Sequence, residues 1–293
     1  MATTAGDVLL GYLREQLGEL RRHAPEAREG QAEAVHQMRV AARRLRSLLG
    51  SGRKLFATAE PSDVRAELRW ISVELGAARD PRVVQARLRD LLAAEPGDLG
   101  HGRPDRKIDE ELDAAAAAGH QGVVTALDSE RYTRLIARLE VLLSVGKLSD
   151  RASRRPGKAF KKILARDTAR LDRAVAGLPA ASPGNVPARA AGLHEVRKAA
   201  KRLRYSAELA ATVSGAGKQV RKRAKAARRI QTILGLHHDT VMARALLAEL
   251  GLRSLPAGES GFSYGRLHAK EEAVAAGAEA DFLKAWRRFP RNG

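Results

Sequence analysis

One basic segment occurs twice in the chain, and this repeat constrains the fold more than any other sequence feature. Residues 35–47 read VHQMRVAARRLRS, and residues 193–206 read LHEVRKAAKRLRYS. His36 aligns with His194, and the four basic positions that follow each histidine align with each other as well. An internal repeat of this length predicts a chain made of two related units.

Both copies have the periodicity of an amphipathic α-helix. Their apolar faces are formed by Met38, Ala41, Ala42, Leu45, Leu48 and Leu49 in the first copy and by Val196, Ala199, Ala200 and Leu203 in the second. The cations beside the histidines are Arg39, Arg43 and Arg46 in the first copy and Arg197, Lys201 and Arg204 in the second. Like charges three or four residues apart repel each other. A repeated row of cations therefore indicates an anionic ligand, although a solvated surface would carry charge too.

Helical spacing of apolar residues continues along the chain, with no strand pattern. It predicts helices over residues 6–23, 61–77, 81–94, 105–118, 128–145, 158–178, 218–234 and 239–250, and a less regular one towards residue 289. Asp80-Pro81 predicts a helix start with Asp80 as the N-cap, and Asp239 is placed as the N-cap at the matching position of the second half. The fold class expected is all-α, with two four-helix-bundle-like subdomains related by a pseudo-twofold internal repeat.

A polar stretch over residues 146–157 predicts the boundary between the two bundles, residues 1–150 and residues 151–293. The formal charge of +19 lies entirely in the second unit: residues 1–150 contain 23 basic and 23 acidic side chains, whereas residues 151–293 contain 30 and 11. Such a concentration of positive charge predicts a polyanionic partner, with polyphosphate, nucleic acid and an anionic membrane as the candidates.

Composition narrows the location and the chemistry of the chain. It has no cysteine, which excludes disulfides, thiolate metal sites and a cysteine nucleophile, and fits a reducing cytoplasm. The N-terminus lacks the basic segment of a secretory signal, and no apolar run reaches the roughly 18 residues that a membrane span needs. The expected location is therefore cytoplasmic.

The duplicated motifs resemble those of the CHAD family, a histidine-containing α-helical domain family. The resemblance covers essentially the whole chain. It depends on two HxxRxxxRxxR-like helices, starting at His36 and His194, and on two LGxxRD-like segments, residues 75–80 (LGAARD) and 234–239 (LGLHHD). Members of this family are known as binders of inorganic polyphosphate, with two helical bundles whose basic helices line a common groove.

The resemblance implies a set of groove-lining residues in this chain. They are His36, Arg39, Arg43, Arg46, His194, Arg197, Lys201 and Arg204. Physical chemistry agrees, because a polyphosphate chain presents only charged oxygens and calls for a row of forked or flexible cations. Lys198 and Arg202 flank this row and are added as candidates. A basic face further along the second unit adds Arg221, Lys225 and Arg228, and Arg69 aligns with Arg228, although each of these could be merely solvated.

A non-catalytic role in targeting or organising polyphosphate, in association with polyphosphate granules, is the preferred prediction. The sequence contains no Walker A loop, no GxSxG motif and no cluster of carboxylates for Mg²⁺, so no catalytic residue, metal or cofactor is assigned. The adjacent residues His237, His238 and Asp239 are interpreted as two surface histidines and a cap, not as a metal site. The oligomeric state is left open.

Two other interpretations remain open. Sequence-independent nucleic-acid binding would use the same cations, although Tyr205 is the only aromatic residue on the basic faces and single-strand binders usually stack bases on several. A phosphohydrolase or phosphotransferase using His36 or His194 is the less favoured hypothesis. Membrane adsorption is disfavoured, because the apolar faces are expected to form cores.

Overall fold

The computed structural model describes residues 3–95, 104–213, 215, 217–254 and 261–290, which form ten α-helices and contain no strand. In chain order the helices are α1 (Ala5–Arg22), α2 (Ala24–Arg28), α3 (Ala32–Ser51), α4 (Glu60–Ala93), α5 (Pro104–Leu127), α6 (Glu130–Ser144), α7 (Pro156–Ala176), α8 (Val186–Ala211), α9 (Lys218–Ser254) and α10 (Phe262–Arg287). The predicted all-α class is confirmed. Within these ranges, no helix combines the length and the hydropathy needed to cross a membrane.

The two repeat segments lie in α3 and α8, and their apolar faces are buried as predicted. Met38 and Leu45 on α3 and Val196 and Leu203 on α8 have essentially no exposed surface. Their burial leaves the opposite, basic face of each helix free for other contacts. Helices α3 and α8 also lie against each other, which brings the two copies of the repeat together.

Buried residues from both halves of the chain form one continuous core. It includes Leu9 of α1, Leu68 of α4, Leu171 of α7 and Phe282 of α10. A smaller apolar cluster joins the C-terminal parts of α4 and α9 to α5 and α10, with Leu88 and Leu247 among its members. The pseudo-twofold repeat and the boundary at residue 150 stay predictions from the sequence.

The predicted helix start at Asp80-Pro81 is wrong, because α4 runs without a break from Glu60 to Ala93. A proline inside a helix cannot donate to the carbonyl four residues earlier, which here belongs to Ala77. Gly119 of α5 packs directly on that carbonyl, since a Cβ added at Gly119 would lie 2.3 Å from the Ala77 oxygen. The proline therefore sits where a neighbouring backbone covers the unbonded carbonyl, and the helix continues.

The N-cap predicted at Asp239 is also wrong, because the helix that contains Asp239 is continuous. Helix α9 extends from Lys218 to Ser254, and Asp239 lies in its middle. Only the local similarity to Asp80-Pro81 suggested a cap, and the apolar residues on both sides of Asp239 belong to one uninterrupted helix. Both aspartates thus present their side chains from helix interiors, next to the basic rows of α3 and α8.

Candidate anion-binding groove

The basic rows of α3 and α8 face each other across the contact between the two helices. Electrostatic interactions link Lys201 of α8 with Arg39, Arg43 and Arg46 of α3, and Arg197 of α8 with Arg39 and Arg43. We call these five side chains the cation cluster. All five are partly buried.

Few carboxylates balance this charge. Among the described residues, no ion pair joins Arg43, Arg46, Arg197 or Lys201 to an acidic side chain, and Arg39 pairs with Asp80 alone. The Nε atom of Arg197 is buried without a hydrogen-bond partner in the same part of the chain. Several cations withdrawn from water without partners are costly, so the arrangement is suited to an anion.

The glycines of the two LGxxRD-like segments leave room for Arg39 and Arg197 beside the long helices. A Cβ added at Gly76 of α4 would lie 2.8 Å from Nη1 of Arg39, and one added at Gly235 of α9 would lie 3.6 Å from Nη2 of Arg197. Each guanidinium therefore lies on the backbone of the neighbouring long helix, with the tighter approach at Gly76. A side chain at position 76 would displace Arg39.

The cluster lowers the pKa of its own members. Burial, reinforced by Arg197, Arg43, Arg39 and Arg46, lowers the pKa of Lys201 from 10.5 to about 6. Burial likewise lowers the pKa of Arg43 and that of Arg197. At neutral pH the free protein thus holds Lys201 largely as the neutral amine, with lone-pair capacity to take up a proton when an anion arrives.

Histidines lie at one end of the cluster. Burial, and to a smaller extent the charge of Arg79, lowers the pKa of His36. Burial, and to a smaller extent the charge of Lys198, lowers the pKa of His194. The Nδ1 atoms of both rings are buried without a hydrogen-bond partner among the described residues. The His194 ring lies 4.9 Å, centroid to centroid, from the ring of His238, whose pKa burial lowers to about 4.

The expectation of two surface histidines in the second LG segment is wrong. His237 is buried, with 7% of its surface exposed, and His238 is partly buried against His194. Asp239 is also partly buried, and its burial raises the pKa of the carboxyl group although Arg197 opposes the shift. His238 and Asp239 thus lie next to Arg197 of the cluster, whereas the charges nearest to His237 are those of Glu279, Arg244 and Arg189.

Three of the predicted binding residues are held by carboxylates instead of facing the cluster unpaired. Arg202 donates through Nε to Oδ1 of the buried Asp167 at 3.0 Å. Arg204 donates to Glu208 at 2.6 Å, and Lys198, which is about half exposed, pairs with Glu195. For Arg202 and Arg204 the structure indicates a role in packing and orientation.

The remaining predicted residues are exposed on the two long helices. Arg69 of α4 is close enough to Arg46 to lower the pKa of that guanidinium, whereas Arg221, Lys225 and Arg228 lie on the solvent side of α9. Sequence reasoning missed two arginines of α4 that act on the cluster, Arg65 and Arg79. Arg79 stands inside the LGAARD motif, and Arg65 is four residues before Arg69, so both had a usable signal.

Comparison with known proteins gives consistent matches. A family model for the CHAD domain matches residues 11–248. The uncharacterized proteins MT2285 and Rv2226, from two strains of Mycobacterium tuberculosis, are each 33% identical over 261 residues. That match covers 88% of this chain but 48% of each relative, so the chain spans about half the length of these curated relatives.

Two solved structures share the fold over nearly the whole chain. PptA from Streptomyces chartreusis superposes with a TM-score of 0.76 and 26% sequence identity, covering 97% of this chain and 100% of its own. The CHAD domain from the plant Ricinus communis superposes with a TM-score of 0.70 and 26% identity, covering 95% of this chain and 93% of its own.

Proposed function

Because the chain belongs to the CHAD domain family, we propose that it binds inorganic polyphosphate along the cation cluster between α3 and α8. The observation that carries the proposal is the position of Lys201. Its amine is surrounded by arginines from both repeat helices, and no described carboxylate pairs with it. A linear chain of anionic oxygens could contact the two rows at once and compensate their charge.

The residues divide by the part they would play. The cluster arginines and Lys201 would make the direct contacts, with His36 and His194 as further donors. The Nδ1 atoms of both histidines support this use, because neither has a hydrogen-bond partner in the part of the chain that the structure describes. Arg69 and Arg79 would extend the contact surface along α4. The exposed cations Arg221, Lys225 and Arg228 on α9 would raise the local concentration of the polyanion through long-range attraction.

We propose further that the protein holds polyphosphate and does not turn it over. A histidine that acts as a base or accepts a phosphoryl group is normally oriented by a further group on its second ring nitrogen. The Nδ1 atoms of His36 and His194, which have no hydrogen-bond partner among the described residues, do not fit that arrangement. The role proposed is to target or organise polyphosphate in the cytoplasm, at polyphosphate granules.

A competition experiment at physiological ionic strength tests the choice of ligand. We expect long-chain polyphosphate to displace labelled duplex DNA from the protein at equal phosphate concentration, because the partly buried cluster suits a thin chain better than a duplex. Displacement of polyphosphate by DNA would favour the nucleic-acid hypothesis instead. Gel analysis of the polyphosphate after incubation should show unchanged chain lengths, and shortening would contradict the non-catalytic role.

A further inference from the structure

A second concentration of positive charge surrounds a cavity away from the cation cluster. The cavity has a volume of about 390 Å³ and lies between the C-terminal end of α3 and the first turns of α7. Its basic lining residues are Lys54, Arg151, Arg154, Lys162 and Arg166, and none of its described lining residues carries a carboxylate. The volume falls within the range of ligand-binding sites, roughly 300–1,000 Å³.

Four of the five cations of the cavity form no ion pair with a described residue. Lys54, Arg151, Arg154 and Lys162 are exposed, and none forms an ion pair within the described ranges. Arg166 is fixed in the wall, where Nη2 donates to the carbonyl oxygen of Ser51. Five cations around one cavity repel each other, and an anion placed among them would relieve that repulsion.

Asp167, a carboxylate hydrogen-bonded to Ser51 of the cavity lining, is already paired with an arginine. Asp167 is fully buried, accepts a hydrogen bond from the Ser51 hydroxyl at 2.6 Å and pairs with Arg202 at 3.0 Å. Ser51 also lines the cavity, so this network forms part of its floor. Because Arg202 satisfies Asp167, the charge of the cavity itself remains uncompensated.

A line of arginines leads from the cation cluster to this cavity. Arg65 of α4 donates through Nε to the carbonyl oxygen of Arg46 at 3.2 Å, and it lies on the backbone of Gly50, where an added Cβ would be 2.9 Å from its Cζ. Arg65 and Arg170 interact electrostatically with each other and with Arg202, which pairs with Asp167. Arg65 therefore lies along α3 between Arg46 of the cation cluster and Gly50, the residue before Ser51 of the cavity lining.

We infer that the cavity is a second phosphate-binding site, which takes a further stretch of the same polyphosphate chain that lies in the cation cluster. The inference rests on the proposed function. A chain long enough to reach past Arg65 and Arg170 would occupy both sites, whereas a short chain would occupy the cluster alone. Joining two sites through one ligand raises the overall affinity without new contacts at either site.

The test compares chain lengths in a cavity variant. Arg154→Ala/Lys162→Ala removes two exposed cations that make no described ion pair, so the helix signal and melting temperature should be unchanged. Its control, Arg106→Ala/Arg134→Ala, removes the same charge from α5 and α6, where each arginine forms an exposed pair with a glutamate. Calorimetric titration at physiological ionic strength would measure the dissociation constants of tripolyphosphate and of long-chain polyphosphate.

We expect the cavity variant to lose about tenfold in affinity for the long chain and to keep its affinity for tripolyphosphate, while the control changes neither. A cavity variant that equals the control for the long chain would overturn the inference, and so would an equal loss for both ligands.

A third variant, Arg43→Ala/Lys201→Ala, separates the two proposals. If it lost long-chain binding while the cavity variant did not, the proposed function would stand and the second site would fall. No binding of either ligand by the unmodified protein would defeat the proposed function itself.

Discussion

Arg39 on α3 and Asp80 on α4 form an ion pair in which Nη1 lies 2.8 Å from Oδ1. The pair gives Asp80 a tertiary role in place of the helix cap that its sequence context suggested. It also places a negative charge, about half exposed, at the edge of the cation cluster. In the free protein this carboxylate compensates part of the cluster's charge, and in the complex it would oppose the polyanion.

Replacing Asp80 should therefore strengthen binding. We expect Asp80→Asn to raise the affinity for polyphosphate about threefold, because Arg39 is released and one repulsive charge is removed. The same change should lower the free energy of unfolding by at most about 1 kcal/mol, as is usual for partly exposed ion pairs. Calorimetric titration and urea unfolding would measure the two effects. Weaker binding would mean that Arg39 needs Asp80 to hold its position.

Removal of the cluster should abolish high-affinity binding. In the variant Arg39→Ala/Arg43→Ala/Arg197→Ala/Lys201→Ala we expect the affinity to fall at least about a hundredfold and the dependence of log K on log salt to become shallower by roughly three units, in line with counterion release. The circular-dichroism spectrum should stay helical, because the apolar faces of α3 and α8 are untouched.

A matched control removes four exposed arginines that lie outside the cluster, in the variant Arg21→Ala/Arg22→Ala/Arg106→Ala/Arg134→Ala. Each of these arginines pairs with a nearby glutamate. The control should retain most of the affinity and most of the salt dependence. Equal losses in both variants would indicate that net charge alone, not the facing rows, is responsible for binding.

Binding should be accompanied by proton uptake at Lys201. Its pKa is about 6 in the free folded protein, against an ordinary value of 10.5, so between these pH values the unfolded chain carries a proton that the folded protein lacks. The contribution of this group to the free energy of unfolding accordingly rises with pH across that window. An anion in the cluster reverses the balance, because it favours the ammonium form.

At pH 7.5 we expect uptake of about one proton per protein on binding, and an affinity that falls as the pH rises. Titrations in two buffers with different ionisation enthalpies would measure the uptake. The arginine of the variant Lys201→Arg stays charged throughout this pH range, so the variant should take up one proton fewer than the unmodified protein on binding. Proton uptake by the histidines and by the ligand is common to the two proteins and cancels in the comparison. Equal uptake in the two proteins would contradict the assignment.

The close packing of Gly119 of α5 on the Ala77 carbonyl of α4 gives a prediction for stability. Gly119→Ala should lower the free energy of unfolding by about 2–3 kcal/mol, because its Cβ would lie 2.3 Å from the Ala77 carbonyl oxygen. Gly122→Ala on the same helix is the control. There the nearest atom is the Glu74 Oε2 at 3.5 Å, so the higher helix propensity of alanine should leave the protein equally or slightly more stable. Similar melting temperatures for both variants would rule out the close contact.

Local sequence periodicity was sufficient to predict the all-α class and the burial of the repeat helices. It places Met38 and Leu45 on one face of α3 and Arg39 and Arg43 on the other, whatever the helix packs against. The duplicated histidine-arginine motif and the polarised charge likewise predict a polyanionic partner without any knowledge of the tertiary contacts, and this partner stays a prediction.

Which of those cations remain without a partner depends on the tertiary structure alone. Arg202 and Lys201 are adjacent and both basic, yet Arg202 pairs with Asp167 of α7, while Lys201 lies near four arginines and forms no ion pair with a carboxylate of the described residues. The same holds for Asp80-Pro81, whose local chemistry is that of a helix start but whose unbonded carbonyl is covered by Gly119 of α5. In both cases the outcome depends on groups distant in the chain, because burial and charge compensation are properties of the packed molecule and not of the local sequence.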